Sequence, residues 1–146
     1  MRRILATGLL LAAAACSTVS GPEGTNVAAQ LAEASPSPIQ ITLRHGQERA
    51  VDGTVLRLSF LRVVEDSRCP IDAVCIWAGD GVAEIGVSAG EGPTSRLRLH
   101  TNLEPKFADW NGVRVTLLEL SPAPRAAEPT KPADYSVRLQ VEPVKR

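Results

Sequence analysis

The chain has 146 residues, which is enough for one domain but not for two once a leader and a linker are set aside. Its 16 lysines and arginines balance its 16 aspartates and glutamates, so the net charge gives no reason to expect nucleic acid as a partner. Aromatic residues make up 3% of the chain, so the core has to be built from aliphatic side chains.

Residues 1–15 are predicted to be an export signal. Arg2 and Arg3 form a positively charged start, and an apolar run from Ile4 to Leu11 leads into alanines directly before Cys16. This apolar segment is shorter than the roughly 20 residues that a membrane-spanning helix needs. The order of charges, apolar residues and small residues therefore indicates export and cleavage.

The segment Ala13-Ala14-Ala15-Cys16 resembles the lipobox of bacterial lipoproteins, with Ala13 where that motif most often has leucine. The resemblance implies that Cys16 is acylated and anchors the protein to a membrane without crossing it. Ser17, in place of an aspartate, implies the outer membrane in a Gram-negative host, with the domain in the periplasm. The alternative is an ordinary secretory signal in which Cys16 carries no lipid.

After the signal, residues 16–38 are rich in Ser, Gly, Pro and Ala and are predicted to be a flexible, lipidated tether. The stretch from Val27 to Ala34 contains helix-forming residues, but eight residues without packing are too short to hold a helix in water. A single β-domain is expected from 39 to 146.

Within residues 39–146, apolar and polar residues alternate in short segments that are separated by glycine-containing turns. This pattern favours an all-β fold, a small antiparallel β-sandwich or barrel of about six to eight strands. Between Val113 and Leu120 the apolar phase changes, which predicts a bulge or burial on both sides. The segments are marked by Ile39/Ile41/Leu43, Leu56/Leu58/Phe60, Ala83/Ile85/Val87, Leu97/Leu99, Val113/Val115/Leu117 and Tyr135/Val137/Leu139/Val141.

Asp66 to Gly79 is the most distinctive stretch of the sequence. If Cys16 carries lipid, Cys69 and Cys75 remain as an even pair and predict one disulfide in an exported protein. Such a short bridge adds roughly 2 kcal/mol and fixes the shape of the loop, and a tryptophan beside it is expected to cover the bridge. We predict this loop as the binding surface, with the candidate contact residues Arg68, Pro70, Asp72 and Trp77.

The Asp-Ser-Arg-Cys-Pro segment that begins at Asp66, the second cysteine and the Trp-x-Gly that ends at Gly79 resemble a group of small exported bacterial proteins. The resemblance extends to about Val141. It supports an exported domain and brings no established activity with it.

The sequence contains no hydrolase, metalloprotease or phosphate-loop motif, so we predict neither an enzyme nor a cofactor. The cysteine spacing and the only two histidines, His45 and His100, argue against zinc, and five residues between the cysteines argue against a redox motif. Carboxylates in predicted loops would hold calcium only if they converged; they are Asp66, Asp72, Asp80, Glu104 and Asp109.

Several arginines occupy the polar faces of predicted strands, namely Arg57, Arg96, Arg98, Arg114 and Arg138. Either they gather on one sheet face and bind an anion, or they form a solvated face that Glu84 and Glu119 neutralise.

These observations predict a noncatalytic binding domain, tethered to a membrane of the cell envelope, whose partner is an envelope protein or a small ligand. One alternative is a protease inhibitor that presents Pro70 to Val74 to an enzyme cleft. Another is a small envelope hydrolase that uses His100 with an acidic partner.

Overall fold

The computed structural model describes residues 26–35 and 37–144, so the predicted signal segment and Cys16 lie outside the described residues. None of the helices in the described ranges is long and apolar enough to cross a bilayer. In chain order the elements are α1 Val27–Ala34, β1 Ile39–Arg44, β2 Glu48–Ala50, β3 Leu56–Asp66, β4 Gly81–Ala89, β5 Ser95–His100, β6 Phe107–Trp110, β7 Val113–Ser121, a short 3-10 helix Pro132–Asp134 and β8 Ser136–Pro143.

The strands form two four-stranded sheets in the orders β1-β8-β7-β6 and β2-β3-β4-β5, and all the pairings are antiparallel. Apolar side chains from both sheets meet in one core cluster. The prediction of a small all-β sandwich is therefore confirmed. The two strands that the sequence did not predict, β2 and β6, have only three and four residues, and no side chain of either is fully buried.

The inward-facing residues are those that the alternating pattern marked. Leu58 and Phe60 of β3, Ile85 of β4 and Leu139 of β8 are completely buried. The predicted irregularity in β7 is also confirmed, because its register against β8 shifts between Leu117 and Glu119. This bulge leaves the residue between them exposed and returns the next leucine, at position 120, to the core.

The predicted tether was wrong for residues 27–34, which form helix α1. Asn26 caps this helix by accepting a hydrogen bond from the N–H of Ala29 at 3.1 Å. Val27 and Leu31, one turn apart, are both buried in the core. Packing of this apolar edge supplies the stability that an isolated eight-residue helix lacks, so residues 27–34 belong to the folded domain.

Strand β3 separates helix α1 from the cysteine-containing loop. At its start, the N–H of Val55 donates to Gln30 Oε1 of the helix at 3.0 Å. At its end, 11 residues and about 36 Å further on, Asp66 leads into the loop before β4. The loop and the helix therefore lie at opposite ends of the sandwich.

Candidate functional site

The cysteine loop, residues 69–78, is a closed extension of the β3–β4 hairpin. Its two ends are joined by a hydrogen bond from the N–H of Cys69 to the carbonyl of Ala78 at 2.9 Å. Within it, Cys69 and Cys75 form the predicted disulfide, with their Cα atoms 5.9 Å apart. The loop is thus fixed both at its base and across its middle.

Gly79 completes the base of the loop because no other residue fits there. It has a φ of +65°, and an added Cβ would lie 1.7 Å from the carbonyl oxygen of Ser67. This close approach lets the N–H of Ser67 donate to the carbonyl of Asp80 at 2.7 Å, which continues the strand ladder towards the loop.

A second set of contacts fixes the loop to the segment that follows β7. The N–H of Ile71 donates to the carbonyl of Pro124 at 3.0 Å, and the N–H of Ala126 donates to Asp72 Oδ1 at 2.9 Å. The carboxylate of Asp72, predicted as a ligand contact, therefore holds a neighbouring loop in place.

Arg68 anchors the loop to the body of the domain. Its guanidinium donates through Nε and Nη2 to both carboxylate oxygens of Asp66, at 2.7 Å each. It also donates to the carbonyls of Leu120 and Pro122, and the Tyr135 hydroxyl completes the group by donating to Asp66 Oδ2 at 2.9 Å. Arg68 was predicted to contact a ligand, but its side chain is only 12% exposed and its donors are used within the domain.

The Asp66 carboxylate stays ionised in this setting. Burial alone would raise its pKa, but the hydrogen bonds from Arg68 and Tyr135, together with the charge of Arg68, outweigh burial and lower it. Burial, reinforced by the hydrogen bond to the Asp66 carboxylate and by its charge, raises the pKa of Tyr135. Asp66, Arg68 and Tyr135 thus form a paired and internally satisfied group that supports the loop.

The outer surface of the cysteine loop carries large apolar side chains. Trp77 is 83% exposed, so it does not cover the disulfide as expected, and Ile71, Val74 and Ile76 are more than half exposed as well. Pro70 is half-buried. We refer to Ile71, Val74, Ile76 and Trp77 as the apolar loop face. Sequence reasoning named only Trp77 of these four as a contact residue and included Ile71 and Val74 only in the segment of the protease-inhibitor alternative. Their apolar character in a predicted surface loop was a usable signal.

Asp80 and His100 form a second polar group beside the base of the loop. His100 Nδ1 lies 2.6 Å from Asp80 Oδ2, while Asp80 Oδ1 accepts hydrogen bonds from the backbone N–H groups of Thr101 and Asn102. Burial would raise the pKa of Asp80, but these hydrogen bonds outweigh it and lower the pKa to about 2.

His100 therefore has the acidic partner that a hydrolase would require. A nucleophile is still needed, and within residues 26–35 and 37–144 the His100 ring makes its hydrogen bond to Asp80 alone. The nearby Ser67 hydroxyl donates instead to the backbone carbonyl of Asp80, at 3.1 Å. The arrangement fixes the β4–β5 end of the sheet and lacks the nucleophile–base contact of a hydrolytic site.

The predicted arginines do not converge on one sheet face. Arg114 and Arg138 lie on the β1-β8-β7-β6 sheet and pair with Asp109 and Glu119. The other three lie on the β2-β3-β4-β5 sheet, where Arg57 pairs with Glu48, and Arg96 and Arg98 approach Glu84.

The loop carboxylates do not form a calcium site. In the part of the chain that the structure describes, no three His, Cys, Asp or Glu side chains come together as a metal site would require. Asp66, Asp72 and Asp80 each accept hydrogen bonds from different parts of the domain.

Comparison of the chain with protein-family models, curated proteins and solved structures finds no match.

Proposed function

We propose that this protein is a noncatalytic binding domain of the cell envelope, anchored by lipid on Cys16, and that it contacts a protein partner through the apolar loop face. The observation that carries the proposal is the exposure of Ile71, Val74, Ile76 and Trp77 on one short loop. Large exposed apolar patches on soluble domains commonly mark interaction sites, and tryptophan is enriched among the residues that dominate binding energy.

The construction of the loop favours binding as well. The Cys69–Cys75 disulfide and the hydrogen bonds to Pro124 and Ala126 hold the backbone under these side chains. A surface that is already ordered loses little conformational entropy when a partner binds. The rigid backbone of the cysteine loop therefore favours binding through its four exposed apolar side chains, because a flexible loop would lose more entropy on binding.

The position of the apolar loop face supports a partner other than the anchoring bilayer. Cys16 precedes Asn26 by ten residues, which reach at most about 35 Å when fully extended. Asn26 begins the helix at one end of β3, and the cysteine loop follows its other end. Strand β3 alone spans about 36 Å and separates the cysteine loop from the helix to which the anchored segment is attached. An anchor at Cys16 therefore holds the helix end nearer to the membrane and favours a loop that faces away from it.

Site-specific photocrosslinking in intact cells tests the binding surface. A photoreactive residue at Val74 should give a discrete protein adduct, whereas the same residue at Glu91, in the exposed turn at the opposite end of the domain, should not. Ile76→Ser combined with Trp77→Ser should abolish the adduct while leaving the unfolding curve unchanged. Equal adducts from both positions, or adducts to lipid only, would refute the proposal.

The anchor is tested separately by metabolic labelling with a fatty-acid analogue. The wild-type protein should incorporate the label, and the Cys16→Ser variant should not. A mature protein that lacks label and is released in soluble form would refute the lipid anchor while leaving the binding surface open to test.

A protease inhibitor is a second candidate function, favoured by the full exposure of Val74 within the disulfide-closed loop. Such inhibitors present a rigid segment that enters an enzyme cleft without losing much entropy. Titration of purified envelope proteases with the domain tests this function. No loss of protease activity at stoichiometric excess would remove it.

A further inference from the structure

An independent feature lies on the outer face of the β2-β3-β4-β5 sheet, where one buried carboxylate is surrounded by three arginines. Glu84 projects from the middle of β4, and its side chain is only 4% exposed. Arg62 of β3 and Arg98 of β5 stand directly opposite it in the two neighbouring strands. Arg96, two residues before Arg98, completes the group.

The contacts in this group leave much of the guanidinium surface unused. Arg62 and Arg98 contact Glu84 through their Nε atoms, at 2.9 and 3.5 Å, and Arg96 reaches it through Nη1 at 3.9 Å. Among the residues that the structure describes, the Nη groups of Arg62 and Arg98 have no hydrogen-bond acceptor. Two adjacent Nη groups form the edge that an oxyanion contacts with paired hydrogen bonds.

The charge balance differs from that of the other arginine pairs on the strands. Arg57, Arg114 and Arg138 each form an ion pair with one carboxylate, and each of those carboxylates is itself about half exposed. At Glu84, three arginines share a single carboxylate and carry two positive charges in excess, and all three are more than half exposed. The hydrogen bond from Arg62 is the largest influence on Glu84 and lowers its pKa, so the carboxylate is ionised at neutral pH.

The surface beside the arginines is centred on a glycine. Gly86 pairs with Arg96 across the strands. The Ser59 hydroxyl, a methyl group of Thr94 and a methyl group of Leu61 lie above it, at 2.3, 3.0 and 3.5 Å from where a Cβ would lie. A side chain larger than hydrogen at position 86 would displace this hydroxyl. The face therefore offers the arginine donors to a small ligand beside a surface that mixes the Ser59 hydroxyl with methyl groups of Thr94 and Leu61.

We propose that Arg62, Arg96 and Arg98, held in place by the buried Glu84, form a binding site for a terminal phosphate group, either inorganic phosphate or a phosphate monoester. A phosphate monoester carries a charge between about −1.5 and −2 at neutral pH, which matches the excess charge of the group. Its oxygens accept several charge-assisted hydrogen bonds at once. The phosphate is either free in solution or the headgroup of a lipid, and the site lies apart from the cysteine loop.

Titration of the exported protein with inorganic phosphate, in a nonionic detergent and followed by ¹⁵N NMR, tests this site. We expect saturable shifts in β3, β4 and β5 that weaken as salt is added. Arg96→Gln combined with Arg98→Gln should weaken binding by about tenfold or more, which is the loss expected for one charge-assisted hydrogen bond. Arg57→Gln and Arg138→Gln serve as matched controls that should leave binding within about twofold of wild type.

A parallel titration with dihexanoyl phosphatidic acid separates the two sources of phosphate. Tighter binding of this lipid than of inorganic phosphate would support a lipid headgroup, and equal binding would support a free phosphate. Dihexanoyl phosphatidylcholine, a diester, should not bind.

Three results would overturn the proposal. They are the absence of saturable shifts in the wild-type protein, undiminished binding by the folded double variant, and equal binding of the diester. Unchanged amide shifts in the β1-β8-β7-β6 sheet establish that the double variant is folded.

Discussion

Replacing Asp80 with asparagine gives a sharp test of the polar group at the base of the cysteine loop. Asp80→Asn keeps the shape of the side chain but removes the charge that His100 and the backbone N–H groups of Thr101 and Asn102 stabilise. The native pKa of about 2, against an ordinary value of 3.8, corresponds to about 2 kcal/mol of folding free energy at neutral pH.

The pH dependence of this loss distinguishes a charge effect from a packing effect. Because the native pKa of Asp80 is lower than its unfolded value, the stabilisation is complete above about pH 4 and is lost as the pH falls through 2. The difference in unfolding free energy between wild type and Asp80→Asn should be about 2 kcal/mol at pH 6, about 1 at pH 3 and below about 0.5 at pH 2.

Urea unfolding, monitored by circular dichroism from pH 6 to pH 2, measures this difference. The control is Asp52→Asn in the exposed β2–β3 turn, which should change the unfolding free energy by less than about 0.5 kcal/mol at every pH. A difference between wild type and Asp80→Asn that stays constant from pH 6 to pH 2 would refute the assignment of the stabilisation to the Asp80 charge.

Three further tests, each by urea unfolding, measure how the loop is supported. Arg68→Met should cost about 3 kcal/mol or more because it removes the positive charge beside the buried Asp66 carboxylate and leaves the carbonyls of Leu120 and Pro122 without this donor. Tyr135→Phe removes one hydrogen bond and should cost about 1 kcal/mol. Equal losses would contradict the central role of the arginine. Both Gly79 and Gly46 have a positive φ, so replacing either with alanine should cost about 1–2 kcal/mol in backbone strain. Gly79→Ala should cost clearly more than Gly46→Ala, because only at Gly79 would the added Cβ collide with a backbone atom. Replacing both cysteines, Cys69→Ser with Cys75→Ser, should lower the unfolding free energy by about 2 kcal/mol. An unchanged unfolding free energy would show that the bridge adds no stability.

The strands that bury one full face were predictable from the sequence, and the short edge strands were not. Leu56, Leu58 and Phe60 alternate with polar residues because one side of β3 faces the core. Strand β2 has three residues, all exposed, so its position depends on backbone pairing with β3 and leaves no apolar pattern. Helix α1 did leave a signal, the i, i+4 spacing of Val27 and Leu31, but the argument from isolated helix stability ignored the packing that stabilises it.

The candidate site was predictable only where local sequence determines it. Cysteine parity predicted the Cys69–Cys75 bridge without knowledge of the fold. The pairing of Asp80 with His100 joins residues 20 positions apart and depends on the register of β4 against β5. The role of Arg68 as an anchor likewise required the position of the segment after β7, which a sequence pattern does not contain.

The bulges of β3 explain why Arg62 was missed and link the two surfaces of the domain. By the alternation of Leu58 and Phe60, Arg62 should face the core, where an unpaired charge would cost several kcal/mol. The register instead shifts between Phe60 and Arg62, which turns Arg62 outward onto Glu84, and shifts again between Val63 and Glu65.

The second shift restores the original phase, so that Asp66 faces inward and accepts a hydrogen bond from the hydroxyl of Tyr135, the residue directly before β8. Without the first bulge, Arg62 would face the core and not Glu84. Without the second bulge, Asp66 would face outward and away from Tyr135. Two bulges in one strand therefore build the outer-face arginine group and the support of the cysteine loop together. Because Leu61 is the extra residue of the first bulge, its deletion should leave Arg62 opposite Glu84 and Asp66 opposite Gly81.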